Sequence, residues 1–302
     1  MSTEEIKQQV LSRISTFPTI PVMVSKLMGL LDEKDTSFSR IADVIKYDPA
    51  LTANVLKAAN SSYMGFTRKV NSLTEASIRL GTKWIFKIAV SSLIGSQLKR
   101  PVAGYDLTAE QLWKHSMATA LTTEHLCNIV KVPDKWLIFT AALIHDMGKI
   151  LMGDLISDSF EKVQNFADSD HISFQEAEKR LFGMNHAEIG ALVAEKWDFP
   201  EEIVRCIRWH HEPEGADEIT QSIDVVHIAD ALCLMQGYGN GREELRYHPN
   251  EGSISRLKIT SSDLELVSTR VLSSLEELEN MLEEEKNAEE NMGPDNKPVG
   301  RW

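Results

Sequence analysis

A chain of 302 residues, 42% hydrophobic and 25% charged, has the ordinary composition of one large or two modest globular domains. Its formal net charge of −13 argues against general nucleic-acid binding, which needs cationic surface to neutralise phosphate. Eight Glu against one Lys between Glu276 and Glu290 carry more than half of that charge, so the body of the chain is only mildly acidic.

In chain order the apolar residues recur every three to four positions, the helical period rather than the two-residue period of strands. After the breaks at Pro18 and Pro21, residues 21–31 place Val22, Leu27, Leu30 and Leu31 on one side. Phe38, Ile41 and Ile45 mark a short helix closed by Asp48-Pro49, and Leu51, Val55, Leu56 and Ala59 continue as the next. Residues 73–95 form a long apolar helix interrupted at Gly81. Pro101 and Gly104 mark a boundary. A second block opens at Thr108, an N-cap with Gln111 three residues on, and runs to about Val130. One helix is predicted over 134–152, and another stretch over 158–180 reads as helical and then solvent-exposed. Asn185 with Glu188 resembles a capping box. Pro200-Glu201-Glu202 starts a helix with acidic first-turn residues, and it ends near His210-His211. Residues 222–236 form an apolar helix, 237–252 a polar loop, 262–288 a last amphipathic helix, and 289–302 a disordered tail. The fold class predicted is all-α, with two packed helical lobes: 1–103, then 104–260, followed by the helix 261–288.

Cys127, Cys206 and Cys233 form no CxxC and no disulfide framework, and each lies among apolar residues as a reduced, buried thiol does. The polar, acidic N-terminus is no signal peptide, and no run approaches the roughly 18 apolar residues of a membrane span. A cytoplasmic protein with neither membrane nor nucleic-acid partner is expected.

The chemistry concentrates at Ala141-Ala142-Leu143-Ile144-His145-Asp146-Met147-Gly148-Lys149. A buried apolar helix that ends in two adjacent ionisable groups needs a partner for them, because an unpaired buried polar group costs several kcal/mol. A transition-metal ion is the partner that suits imidazole and carboxylate together. Further candidate ligands are His115, His186, His210, His211 and Asp230, on or at the ends of four other predicted helices, with His210 and His211 finishing the same one. Helical bundles build metal sites in this way, from side chains projecting inward. Lys149, at i+4 from His145, shares its face and could hold an anion. His227, one turn before Asp230, is expected to support the site or fill core rather than ligate. Trp84, Trp113, Trp136, Trp197 and Trp209 sit at apolar spacings and are assigned to packing.

His115, His145-Asp146 and Asp230, in that order, resemble the H…HD…D signature of the HD superfamily of metal-dependent phosphohydrolases. His186-Ala187-Glu188-Ile189-Gly190 and His210-His211-Glu212 resemble the additional metal-binding positions of its HD-GYP branch. Phe17-Pro18-Thr19-Ile20-Pro21, Ile45-Lys46-Tyr47-Asp48-Pro49-Ala50-Leu51-Thr52, Val55-Leu56-Lys57-Ala58-Ala59-Asn60-Ser61 and Ala76-Ser77-Ile78-Arg79-Leu80-Gly81 resemble the HDOD domain, an HD-related module of bacterial signalling proteins. The resemblance covers roughly residues 10–240. It implies an HD-type bundle in the second lobe and two divalent transition-metal ions, iron or manganese, with zinc also suited. The counterparts of His115, His145, Asp146 and Asp230 hold the first ion. Asp146 bridges to a second, held by the counterparts of His186 and His210, with His211 joining there or binding a third. Such a pair could polarise a phosphoryl oxygen and generate hydroxide, with Asp146 and Lys149 as the catalytic residues.

The chain departs from the pattern twice. Gln111 stands where trinuclear relatives carry a Glu, which puts a third ion in doubt. Pro213-Glu214-Gly215-Ala216-Asp217 follows His210-His211-Glu212 in place of the HD-GYP substrate motif, so cyclic-dinucleotide hydrolysis is not supported. The expectation is a regulatory protein with signalling partners and a binuclear centre able to act on a phosphorylated small molecule or nucleotide. A silent module with structural metal is the alternative, and a di-iron oxygenase a remote one.

Overall fold

The computed structural model describes residues 3–17, 26–27, 30, 38–61, 64, 68–156, 159–239 and 247–291. Among these the fold is all-α, with one isolated bridge between Val102 and Leu107. Helix α1 (Thr3–Thr16) precedes α2 (Phe38–Ile45), α3 (Pro49–Ala59) and α4 (Leu73–Leu98). Most of the helix predicted at 21–31, and positions 292–302 of the predicted tail, fall outside the described residues.

Local chemistry sets the element ends. Asp48 caps α3 by accepting from the Leu51 N–H at 2.9 Å, with Pro49 in the first turn. Asn60 then clasps the chain leading to α4: its amide donates to the Val70 carbonyl and its oxygen accepts from the Val70 N–H, at 2.8 and 2.6 Å. Ser72 caps α4, which bends at Gly81, where φ is +74°.

A short turn, Ala103–Tyr105, leads into the second lobe: α5 (Gln111–Val130), α6 (Lys135–Ile144), α7 (Gly148–Ile156), α8 (Phe160–Asp170), α9 (Phe174–Phe182), α10 (His186–Lys196), α11 (Glu201–Trp209), α12 (Gln221–Met235) and α13 (Glu251–Leu257). The last helix, α14 (Ser261–Asn291), packs on both α5 and α3. Phe86 of α4 meets Trp136 and Phe139 of α6 edge-on, at ring centroids 5.2 and 6.3 Å apart. Lys87 of α4 pairs with Glu124 of α5 beside that contact. The apolar core is therefore continuous from one lobe to the other. Helix α1 docks on α7, α9 and α10. The Lys196 ammonium donates to the carbonyls of Ile14 and Ser15 at 2.6 and 2.7 Å, which satisfies the open end of α1.

Four local expectations are corrected. The helix predicted over 134–152 is two, because α6 ends at Ile144 and α7 restarts at Gly148. The stretch 158–180 is also two helices, separated at His171, which takes a left-handed φ of +55°, and it is not solvent-exposed throughout. The N-cap of α5 is Glu110 rather than Thr108. Gln111 instead accepts from the Thr108 backbone N–H, so its side chain is used in shaping that turn. Finally, Lys135–Asp154 is long and apolar enough by composition to cross a bilayer, with mean hydropathy 1.2, against the reading that no run is; yet 89% of it is buried inside the fold.

Candidate metal centre

The break between α6 and α7 solves a geometric problem. On a continuous helix adjacent side chains diverge by about 100°. Here residues 145–147 form a tight turn with i→i+3 backbone bonds, Met147 N–H to Ile144 O and Lys149 N–H to Asp146 O. His145 and Asp146 consequently face one point, with Nε2 and Oδ2 3.4 Å apart. Lys149 pairs with Asp146 at 2.8 Å, rather than sharing a face with His145 as the unbroken helix implied.

The other predicted residues converge there. His115 of α5 brings its Nε2 to 3.1 Å from Asp230 Oδ1 of α12, 3.2 Å from His145 Nε2 and 3.4 Å from Asp146 Oδ2. On the opposite side of the Asp146 carboxylate, Oδ1 lies 3.4 Å from His186 Nε2 and 3.8 Å from His210 Nε2. His211 completes that side, its Nε2 2.8 Å from His186 Nε2. His186 is placed by the predicted capping box: Asn185 accepts from Glu188 N–H at 2.8 Å and Glu188 accepts from Asn185 N–H at 3.0 Å. All eight residues predicted for the site are thus brought together around Asp146, and all are buried or nearly so.

The orientation of the imidazoles is the informative feature. Each turns Nδ1 toward an oxygen: His115 to the Tyr238 carbonyl at 2.5 Å, His145 to the Ala142 carbonyl at 2.6 Å, His210 to the Ile207 carbonyl at 2.7 Å, His186 to Glu178 at 2.8 Å, and His211 to the Tyr247 hydroxyl at 2.6 Å. Carbonyls and carboxylates only accept, so those Nδ1 atoms carry the proton and a neutral ring presents a lone pair at Nε2. Four Nε2 atoms, of His115, His145, His186 and His210, then converge on two carboxylates, with His211 Nε2 beside His186 Nε2. Asp146 Oδ1, Asp230 Oδ2 and His210 Nε2 are buried with no hydrogen-bond partner in the protein. Among close-packed side chains such orphaned groups are costly. Inward-facing imidazoles oriented by outer hydrogen bonds, with orphaned carboxylate oxygens between them, form a donor set suited to metal.

Electrostatics keep both carboxylates ionised and His210 and His211 neutral, while Asp146 and Asp230 raise His145 in spite of its burial. Burial works against ionising Asp146, but Lys149 and the imidazoles outweigh it and hold the carboxyl well below its usual range. Burial likewise opposes ionisation of Asp230, and the neighbouring His115 and His145 rings overcome it and hold the carboxyl well below its usual range. Burial, reinforced by His145, pushes His210 down to about 3, and burial with His210 and His186 holds His211 low. Burial also lowers His227, whose Nδ1 donates to the His210 carbonyl at 2.7 Å and whose Nε2 accepts from Asn250 N–H at 2.9 Å. For His210 and His211 the unfolded chain takes up protons first as pH falls below about 6.5, so their neutral burial contributes stability that is lost on acidification. Metal-free protein is expected to lose up to about 1.4 kcal/mol per pH unit for each such group between pH 6.5 and 5. Urea midpoints across that range check it, and His210→Gln should flatten the slope.

Glu178 was not anticipated from the sequence. It is fully buried on α9 and accepts from both the backbone N–H and the Nδ1–H of His186, at 3.0 and 2.8 Å. Its other oxygen accepts from the Tyr105 hydroxyl. The carboxylate raises His186 above its ordinary titration point in spite of burial. Glu178→Gln preserves shape and removes that charge. Metal affinity is expected to fall roughly 10–100-fold, read by chelator competition, with secondary structure unchanged. Tyr238 and Tyr247 were also missed; they arrive from the loop after α12.

Comparison with known proteins fits this geometry. Residues 17–213 match the HDOD domain family. The chain belongs to that family. A 26%-identical HDOD domain protein of unknown function from Geobacter sulfurreducens superposes with a TM-score of 0.70, covering 93% of this chain and 97% of that one. A structure from Shewanella amazonensis SB2B, proposed to be a metal-dependent phosphohydrolase, shares the fold at 18% identity and a TM-score of 0.55, covering 94% and 100%. An uncharacterized protein of Treponema pallidum (strain Nichols) is 25% identical over 232 residues, which span 76% of this HDOD chain and 44% of that protein.

Proposed function

We propose that this HDOD protein is a signalling module whose second lobe carries a binuclear divalent metal centre able to hydrolyse a phosphorylated small molecule or nucleotide. The observation that carries the reading is the convergence of four imidazole Nε2 atoms, of His115, His145, His186 and His210, on Asp146 and Asp230, with Nδ1 of each of these rings turned outward to an oxygen. His115, His145, Asp146 and Asp230 would hold the first ion. Asp146, His186, His210 and His211 would hold the second, with Asp146 as the bridge. Neighbouring nitrogens 2.8 and 3.2 Å apart suit ligands of one ion, given metal–nitrogen bonds of about 2.0–2.1 Å. Iron or manganese suits the mixed imidazole and carboxylate set, and zinc also fits.

Bound ions would supply Lewis acidity toward a phosphoryl oxygen and an attacking water. The chain's own contribution is orientation and charge. Asp146 fixes the Lys149 ammonium at 2.8 Å, and the ammonium lies 5.6 Å from the centroid of the Tyr105 ring, so a cation stands ready for a phosphoryl oxygen at the edge of the site. One observation favours the silent alternative: Lys149, at 7%, is among the more exposed of these residues, so access is narrow. Three free, buried cysteines accord with the reducing cytoplasm.

Anaerobically purified protein should contain about two transition-metal equivalents by elemental analysis. Less than half an equivalent would rule out the binuclear centre. Turnover of a phosphoester panel by loaded protein, lost in Lys149→Gln at unchanged metal content, supports the hydrolase. Loaded protein without turnover assigns the metal to structure.

A further inference from the structure

A cavity of about 560 Å³ opens where α1, the end of α4 and α7 meet. It lies outside the metal centre and within the volume range of small-molecule sites. Arg13, Thr16 and Phe17 line it from α1, Gln97 and Arg100 from α4 and its end, and Leu151, Gly153 and Asp154 from α7. Two arginines line it against one aspartate, so the cavity is locally cationic in a protein of net charge −13.

The two arginines are available to a ligand. Arg13 meets Asp154 at 3.4 Å with both side chains well exposed, 41% and 61%, and such surface pairs are weak and readily exchanged. Arg100 is half-buried and makes no ion pair among the described residues. A guanidinium fork matches phosphate oxygens better than it matches a single distant carboxylate. Inorganic phosphate alone would leave most of the volume empty, while Phe17, Leu151 and Ala103 offer apolar wall to an organic body. The cavity wall is continuous with the supports of the metal centre: Ala103 belongs to the same short turn as Tyr105, whose hydroxyl holds Glu178 on His186.

We propose that this inter-lobe cavity binds a small organic phosphate of mononucleotide size, with Arg100 and Arg13 holding the phosphoryl group. The site is independent of the metal reading, and its test separates the two. Calorimetric titration of the full chain, before and after chelation, uses adenosine monophosphate, guanosine monophosphate, inorganic phosphate and succinate as probes. A mononucleotide should bind more tightly than inorganic phosphate or succinate, equally well after chelation. Arg100→Gln should weaken binding about tenfold or more, the scale of a lost charge-assisted hydrogen bond. Asp154→Asn, which removes the competing carboxylate, should strengthen it, a gain that misfolding cannot mimic. The proposal is overturned if neither mononucleotide binds, if chelation abolishes binding, if inorganic phosphate or succinate binds as tightly, or if folded Arg100→Gln binds as the parent does.

Discussion

Gly148→Ala should be the most damaging single-methyl change in this HDOD chain, lowering Tm by roughly 10 °C or preventing recovery of folded protein. A Cβ on residue 148 would lie 1.9 Å from the His186 carbonyl oxygen and 2.7 Å from Gly190 N. Both are backbone atoms at a helix crossing, so no rotamer change relieves the clash; α7 must move away from α10. Gly190 faces the same crossing, and a Cβ there would meet Gly148 N at 3.3 Å. The closeness serves the site, because it carries Asp146 to within 3.4 Å of His186. Overpacking in a rigid interior costs about 1–3 kcal/mol, and a backbone-on-backbone clash belongs at the top of that range or beyond. Gly95→Ala is the control. Its Cβ would make only ordinary contact with Trp113 at 3.4 Å, inside a helix, so that variant should be neutral or slightly more stable. Equal thermal shifts for the two variants would refute the assigned role of the crossing.

Much of this centre was legible because its residues punctuate apolar helices. His145 and Asp146 interrupt Ala141-Ala142-Leu143-Ile144, and Asp230 interrupts a run buried from Ile223 to Leu234. His186 was legible through its capping box. The helix break at 145 was not, since the apolar period continues across it; Gly148 is the one local sign, and what it avoids is a contact with a segment nearly forty residues away. Glu178 lay in a stretch that reads as polar, Gln175-Glu176-Ala177-Glu178-Lys179-Arg180. Its signal was present nonetheless: Phe174, Ala177, Glu178 and Leu181 fall at i, i+3, i+4 and i+7, which places a carboxylate on the buried stripe of α9. Tyr238 contributes a backbone carbonyl, and a carbonyl carries no residue-type signature. Tyr247 reaches His211 from a loop, where periodicity says nothing. The docking of α1 on the second lobe rests on the Lys196 contacts with its last carbonyls, again invisible to local pattern.

Asp146→Asn is expected to abolish most metal-dependent stability. If the parent protein carries the proposed ions, each at a thousand times its dissociation constant would contribute about 4 kcal/mol, so chelation should lower Tm by roughly 10 °C. The substitution is isosteric, but it offers one oxygen where two are needed. If that oxygen faces His115 and His145, the amide nitrogen faces His186 and His210, and the reverse orientation merely exchanges the loss. Lys149, 2.8 Å from Asp146 Oδ2, would also lose its charge partner, which adds a cost independent of metal. The bridging role is tested by contrast with Asp230→Asn. Asp230 faces His115 and His145 through Oδ1, at 3.1 and 3.5 Å, so its loss should fall chiefly on the first ion. Asp230→Asn should therefore retain about one equivalent and part of the chelation-sensitive Tm, while Asp146→Asn should retain less than one and almost none of it. Equal losses in the two variants would mean that Asp146 does not join two subsites. Retention of the full metal complement by Asp146→Asn would remove the carboxylate from the ligand set, and with it the reason for the break between α6 and α7.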